Sequence, residues 1–280
     1  MMHNDTYTLI NSDCRTELKN IESQSIDAII TDPPYAEVDR SYGRFSEDEW
    51  HELMDAIMPE FQRILKPNGS AMILLQPNSE KCGRMRLWLW EFLVKWGHAW
   101  NLIQDAYCMN ISTLPSGCST VHGLMRPSVK YCCWFGSPNC YRNQNEILWA
   151  ESETNRMGRL EMRAKDKTHL DKRIYYPCGQ NVNKKKCYES AEKKGGVTPF
   201  NFFPSSNGIS NRKVNGASTD IALARYWVRY ICPPNGIVLD PFSGVGTIGR
   251  ASLLENRKYL GIEKNKEFYE TSIEELKNPF

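Results

Sequence analysis

Residues 26–35 read Ile26-Asp27-Ala28-Ile29-Ile30-Thr31-Asp32-Pro33-Pro34-Tyr35, a mostly apolar run closed by an acid, two prolines and an aromatic ring. A continuous run of this length suits a strand buried on both faces, the kind found inside parallel sheets. The prolines end it, because neither can donate to a strand ladder. Upstream, Tyr7 to Asn11 alternates as a short strand with Asp13 at its carboxyl end, and Cys14 to Ile21 suits a short helix. Downstream, Ser46-Glu47-Asp48-Glu49 is a capping box. Trp50, Leu53, Met54, Ile57, Phe61, Ile64 and Leu65 then recur at helical spacing. Lys66-Pro67-Asn68-Gly69 gives that helix a basic last turn and a turn signal. Ala71 to Leu75 reads as the next buried strand and Ser79 to Trp96 as the next helix. This alternation predicts an α/β fold with a doubly wound, mostly parallel sheet.

The pattern changes at Ala99. Two strands up to Phe135 flank a turn-rich stretch, Leu114 to Arg126, which fits a hairpin at the sheet edge. Residues 136–215 show no convincing periodicity and are expected to be a loop-rich insertion with short helices. Regularity returns with Asp220 and the helical run Ile221 to Val228, stopped by Pro233-Pro234-Asn235-Gly236. A strand ending at Asp240, a helix from Thr247, a strand Tyr259 to Glu263 and a helix Lys266 to Leu276 complete the chain.

Net charge is only +2 over 280 residues, but its distribution is uneven. Arg156 to Lys194 holds twelve Lys/Arg against five Asp/Glu, a local +7, so the remainder carries about −5. A basic segment inside a neutral average is expected where a polyanion docks. Ten cysteines with no Cys-x-x-Cys pair argue against structural zinc. With the polar opening Met1 to Asp5, they point to free thiols in a reducing, cytoplasmic setting. No apolar run reaches the roughly 18 residues of a membrane span. No metal site and no membrane partner are expected.

The second informative word is Asp240-Pro241-Phe242-Ser243-Gly244-Val245-Gly246-Thr247, after the apolar strand Gly236 to Leu239. Strand, glycine turn and helix let a ligand lie against backbone at the carboxyl edge of a sheet. Glu263 closes the next strand, where dinucleotide-binding logic places a carboxylate for ribose hydroxyls. The word lacks the Gly-x-x-x-x-Gly-Lys-Ser/Thr that wraps phosphates, which favours a phosphate-free nucleoside. In the first word, Asp32 and the Pro33 carbonyl can each accept one N–H of a planar amine. They would favour its tetrahedral form while Tyr35 offers a stacking face.

Together the two words resemble the S-adenosylmethionine-dependent DNA amino-methyltransferases. Their order, catalytic word first and glycine loop last, resembles the permuted β group. The resemblance covers roughly residues 5–135 and 218–275. It implies a seven-stranded Rossmann-like methyltransferase fold, with residues 1–135 as the catalytic half, 136–215 as a basic target-recognition insertion and 216–280 as the cofactor half. Asp32, Pro33, Pro34 and Tyr35 are then catalytic. Asp240, Pro241, Phe242, Gly244, Gly246 and Thr247 would cradle the methionine part of the cofactor, Glu263 would hold its ribose, and Asp13 would meet its adenine. Asp13 reads equally well as the cap of the helix beginning at Cys14. The family's His-Pro-Thr-x-Lys-Pro segment is missing here; Asn215 to Asp220 stands in its place, where Ser218 or Thr219 could supply a hydroxyl.

The resemblance further implies methyl transfer to the N6 of a flipped-out adenine in double-stranded DNA, leaving S-adenosylhomocysteine, as in restriction-modification. Asp-Pro-Pro-Tyr favours adenine, since the cytosine-N4 enzymes more often begin with Ser. The alternatives are a cytosine-N4 enzyme, an RNA adenine methyltransferase, and a non-catalytic nucleic-acid-binding relative. Arg40, Tyr42 and Arg44 in the loop after the catalytic word are candidate phosphate contacts, as are Lys184, Lys185 and Lys186 in the insertion. A homodimer is compatible with the family.

Overall fold

The computed structural model describes residues 2–40, 43–80, 83–110, 128–149, 191–205 and 219–279. The strands are β1 (Met2–His3), β2 (Tyr7–Asn11), β3 (Ile26–Thr31), β4 (Leu65–Leu75), β5 (Leu102–Asn110), β6 (Val129–Gly136), β7 (Phe202–Ser205), β8 (Ile237–Asp240) and β9 (Lys258–Glu263). The helices are α1 (Cys14–Glu17), α2 (Glu47–Ile64), α3 (Trp88–Ala99), α4 (Ile221–Ile231), α5 (Thr247–Leu254) and α6 (Lys266–Lys277). Among the described residues the strands form one sheet in the order β1-β2-β9-β8-β3-β4-β6-β5-β7. β2, β9, β8, β3 and β4 run parallel to one another, whereas β6 is antiparallel to both β4 and β5.

This arrangement is the expected Rossmann-like methyltransferase sheet with two short additions. β1 lies antiparallel on β2, and β7 lies parallel on β5. The hairpin β5–β6 therefore sits one strand in from the edge. β7 falls in a stretch where no regular element was expected, because four residues are too few to display an alternation.

Every residue of β3 is buried, as its apolar run requires. Ile29, Ala71, Ile73, Leu75, Cys133 and Phe135 share one core with α2 and α3. On the opposite face, Trp134 of β6 meets Tyr230 of α4 at a ring separation of 5.3 Å. Helix α2 begins at the capping box: Glu49 N–H donates to Ser46 Oγ, and Ser46 N–H donates back to the Glu49 carboxylate. At the amino end of β3, Asp27 accepts both from Lys66 Nζ of β4 and from Ile237 N–H of β8, each at 2.9 Å.

Three boundaries differ from the sequence reading. Lys66-Pro67-Asn68-Gly69 is no free turn but part of β4, where the register jumps from the pair Ile26–Leu65 to the pair Ala28–Ser70. Helix α3 starts at Trp88 rather than Ser79. The preceding residues close a bridged turn, with Glu80 N–H on the Arg84 carbonyl and Arg86 N–H on the Asn78 carbonyl, which a helix could not accommodate. The helix from Cys14 tightens at Leu18–Asn20 into a 3₁₀ turn. The cysteines among the described residues are buried.

The chain divides into two units, Met1–Asn143 with Asn201–Phe280, and Gln144–Phe200. The first holds the whole sheet. Both of its chain ends that lead into the second are fastened by main chain: Asn143 N–H donates to the Tyr230 carbonyl at 2.8 Å, and Tyr107 N–H donates to the Asn201 carbonyl at 2.9 Å. Within the second unit, Trp149 and Val197 exchange backbone hydrogen bonds, and the Trp149 ring meets Phe200 edge-on.

Gly249 of α5 tests the packing beneath the glycine turn. A Cβ there would lie 2.5 Å from the Tyr259 ring of β9, whose hydroxyl is held by Ser243. Helix propensity alone would make Gly249→Ala stabilising by up to ~1 kcal/mol. The collision should win, and urea unfolding of Gly249→Ala should show a loss of roughly 1–3 kcal/mol. A more stable variant would overturn this packing argument.

Candidate active site

β3 and β8 are neighbours, but the chain leaves them in opposite directions: β3 continues through α2 to β4, and β8 through α5 to β9. A crevice opens at such a switch point, outside the carboxyl ends of the strands. Both sequence words fall there. The Thr31 hydroxyl at the end of β3 donates to Asp240 Oδ1 at the end of β8, 2.7 Å away.

In the first word, the Pro34 carbonyl is occupied by Trp50 Nε1–H of α2 at 2.7 Å. No donor among the described residues reaches the Pro33 carbonyl. Asp32 is more crowded. Its Oδ1 accepts from the Tyr35 hydroxyl at 2.5 Å, and its Oδ2 accepts from Lys130 Nζ at 2.7 Å and from Thr219 Oγ1 at 2.6 Å. Lys130 Nζ also lies 5.8 Å from the centre of the Tyr35 ring. Burial and then the Asp32 charge push the Tyr35 hydroxyl far above the ordinary tyrosine range. For Lys130, burial opposes the charge, but Asp32 and Tyr35 outweigh it and the ammonium is held more firmly than usual.

In the second word, Asp240 is 1% exposed and accepts from the Phe242 N–H at 3.1 Å as well as from Thr31. Burial nevertheless dominates and raises its carboxyl to about 7. Gly244 and Gly246 take left-handed angles (φ +54° and +85°) that allow the turn into α5. Glu263 braces this turn: its carboxylate accepts from Gly244 N–H at 2.8 Å and from Asn265 N–H at 2.7 Å. Burial raises the Glu263 carboxyl.

Asp13 caps α1 through the Arg15 N–H. Its oxygens also hold the Arg15 guanidinium at 3.0 and 2.7 Å and Lys264 Nζ at 3.1 Å. Arg15 chiefly keeps this carboxyl well below the usual range. A carboxylate has about four lone-pair positions, and all four are occupied here.

These groups border one cavity of about 910 Å³, lined by Asp13, Asp32 to Tyr35, Arg40, Thr219, Asp240 to Val245, Thr247 and Glu263 among others. That volume lies within the usual range for small-ligand sites. Gly246 shapes the turn behind this lining. Arg44 is engaged elsewhere, paired with Glu37. Tyr42, Lys184, Lys185 and Lys186 lie outside the described residues, as do Ser218, Cys178 and Cys187. Two partners of Asp32 escaped the sequence reading. Lys130 carries no local signature tying it to a residue 98 positions away. The Thr219 hydroxyl, expected to face a cofactor, bonds Asp32 instead. Among the described residues, no cluster of His, Cys, Asp or Glu is placed to hold a metal ion, and no helix is long and apolar enough to cross a membrane.

Residues 26–274 match the family model described as DNA methylase, the N6/N4 methyltransferases. The chain belongs to this family. It is similar to the type II methyltransferase M.PvuII of Proteus hauseri, 24% identical over 91% of this chain and 79% of that protein. It is also similar to the DNA adenine methyltransferase YhdJ of Escherichia coli (strain K12), 23% identical over 98% of this chain and 83% of that one. The fold is that of the cytosine-N4-specific PvuII DNA methyltransferase, with a TM-score of 0.71 at 19% identity, covering 96% of this chain and 86% of that one. M1.HpyAVI, solved as a complex with S-adenosylmethionine, superposes with a TM-score of 0.58 at 19% identity, over 97% of this chain and all of that one.

The raised Asp240 carboxyl has a definite consequence for stability. Between about pH 4 and about pH 7 the folded chain keeps a proton that the unfolded chain releases, so stability falls as pH rises through that window. Asp240→Asn keeps an acceptor for Thr31 and removes the titration. Urea unfolding should show the variant gaining on the wild type, on the order of 2–4 kcal/mol by pH 8 relative to pH 4.5. Parallel pH profiles would mean that Asp240 is not buried as described.

Proposed function

We propose that this chain methylates the exocyclic N6 of an adenine rotated out of duplex DNA, using S-adenosylmethionine. The observation that carries the reading is an inventory of acceptors. Among the described residues, three donors occupy Asp32, which leaves one lone-pair position on Oδ1, and none reaches the adjacent Pro33 carbonyl. An exocyclic NH₂ has two N–H groups to place. Accepting both draws the nitrogen toward a tetrahedral shape and localises its lone pair, an interaction stronger in the transition state than in the planar ground state.

When bound, S-adenosylmethionine supplies a methyl group on a positively charged sulfur. The residues fit it. The Asp240-Pro241-Phe242 strand end and the Gly244–Thr247 turn offer close backbone approach to its amino-acid part, and Glu263 offers an acceptor to the ribose. Asp13 meets the adenine only if one of its present partners yields; Lys264, with a side chain 73% exposed, is the most easily displaced. The adenine nitrogen's lone pair forms the new N–C bond, the electrons of the broken C–S bond stay on sulfur, and one proton leaves nitrogen for solvent. Tyr35 offers the flipped base a face, and its hydroxyl bond to Asp32 fixes the ring's direction. Arg40 at the cavity wall, with Tyr42, Lys184, Lys185 and Lys186, contacts DNA phosphates.

The acid that opens the Asp-Pro-Pro-Tyr word supports adenine; the likeness to M.PvuII supports cytosine N4 as the competing choice. Mass spectrometry of digested, methylated DNA decides between them: N6-methyladenine is expected, and N4-methylcytosine alone would overturn the base assignment. Asp32→Ala should lose turnover by roughly 10²–10³-fold or more. It should still bind S-adenosylmethionine in calorimetry, and a normal rate would remove Asp32 from the reaction.

A further inference from the structure

The bonds at Asp32 divide its carboxylate into two unequal halves. Oδ2 is saturated by Lys130 Nζ from β6 and Thr219 Oγ1 from the segment before α4. Among the described residues, Oδ1 holds only the Tyr35 hydroxyl. Lys130 does not line the cavity, whereas Asp32 and Thr219 do, so the lysine meets the carboxylate from behind. Both charges are largely withdrawn from water, with side chains 20% and 17% exposed. Among the described residues Lys130 is the one cation paired with Asp32, and the Tyr35 ring lies against that same ammonium.

We propose that Lys130 is a positioning residue for methyl transfer: by occupying Oδ2 of Asp32 together with Thr219, it fixes the orientation of the carboxylate and reserves the free position on Oδ1 for the substrate amine. This rests on the amine-acceptor role given to Asp32 above. An unanchored carboxylate could rotate about its Cβ–Cγ bond and present either oxygen. That rotation would cost the pyramidal amine one of its two acceptors. A lysine suits the task because its ammonium, held above its ordinary range in this setting, does not titrate near neutrality. The other ionisable groups facing the pair are Tyr35 on the same loop as Asp32, Cys132 on β6 with Lys130, and Asp240 at the end of β8. Of these, only Asp240 titrates close to neutrality, and it belongs to a residue that Lys130→Met leaves in place.

The test compares Lys130→Met and Lys130→Arg in full-length protein on duplex DNA. Lys130→Met should lower kcat at least about tenfold while KM for S-adenosylmethionine stays within about twofold. Lys130→Arg, which keeps the charge, should restore most of the rate. A Lys130→Met enzyme with unchanged kcat overturns the proposal. So does a rate loss that Lys130→Arg fails to rescue, since that is what a merely structural lysine would give.

Thermal melting supplies a readout independent of turnover. Lys130→Met should lower the melting temperature in the wild-type background and much less in an Asp32→Asn background, where no charge is left to compensate. Equal losses in both backgrounds also overturn the proposal. A wild-type protein that binds S-adenosylmethionine yet methylates no DNA would instead sink the methyl-transfer reading, while the melting cycle would still report whether Lys130 compensates Asp32.

Discussion

The hydrogen bond from Thr31 to Asp240, formed across 209 positions of chain, holds the carboxyl ends of β3 and β8 together inside the protein. The direct pairing of these strands is brief, Ala28 with Val238 and Ile29 with Leu239. At the far end of β3, Asp27 reaches Ile237 N–H and clamps the same two strands again. β3 is thereby fixed to β8 at both ends by a carboxylate, and Asp32 cannot drift from the glycine turn. Asp240 Oδ1 also takes the Phe242 N–H, so a single oxygen sets the strand pairing and the start of the glycine turn. The arrangement costs stability through a buried carboxyl raised to about 7, an expense consistent with a site that needs rigid placement.

At three carboxylates of the crevice, half or more of the lone pairs are spoken for by the protein. Glu263 spends its oxygens on the Gly244 and Asn265 amides, Asp32 on Lys130, Thr219 and Tyr35, and Asp13 on Arg15 and Lys264. Directed acceptors of this kind discriminate by number as well as by charge. Under the proposed methyl transfer, the one position left on Asp32 and the Pro33 carbonyl, which no donor among the described residues reaches, would suit a group bearing two N–H bonds. A hydroxyl, with one, would leave an acceptor unsatisfied.

Local physics explains which parts of this could be read from the sequence. The capping box at Ser46 and Glu49, the fully buried run of β3 and the glycine turn before Thr247 are each decided by residues a few positions apart, and each stands where the pattern placed it. The start of α3 was misplaced because apolar and polar residues from Ser79 onward suit a helix, while backbone bonds around Asn78 commit them to a turn. Lys66 to Gly69 looked like a break because the register jump inside β4 borrows turn residues. Lys130 was illegible as a site residue for a different reason. Its meaning lies in the antiparallel return of β6 beside β4, which brings it to Asp32 from another part of the chain.

The two main-chain bonds at Asn143 and Asn201 carry an implication for how such a molecule diversifies. Closing a loop between fixed ends costs entropy only as the logarithm of its length, about 0.6 kcal/mol for each doubling. With both stems pinned to the scaffold, the polypeptide between them can grow, shrink or be swapped for another at small thermodynamic expense. Change in that segment is thereby uncoupled from the sheet that holds the crevice in place.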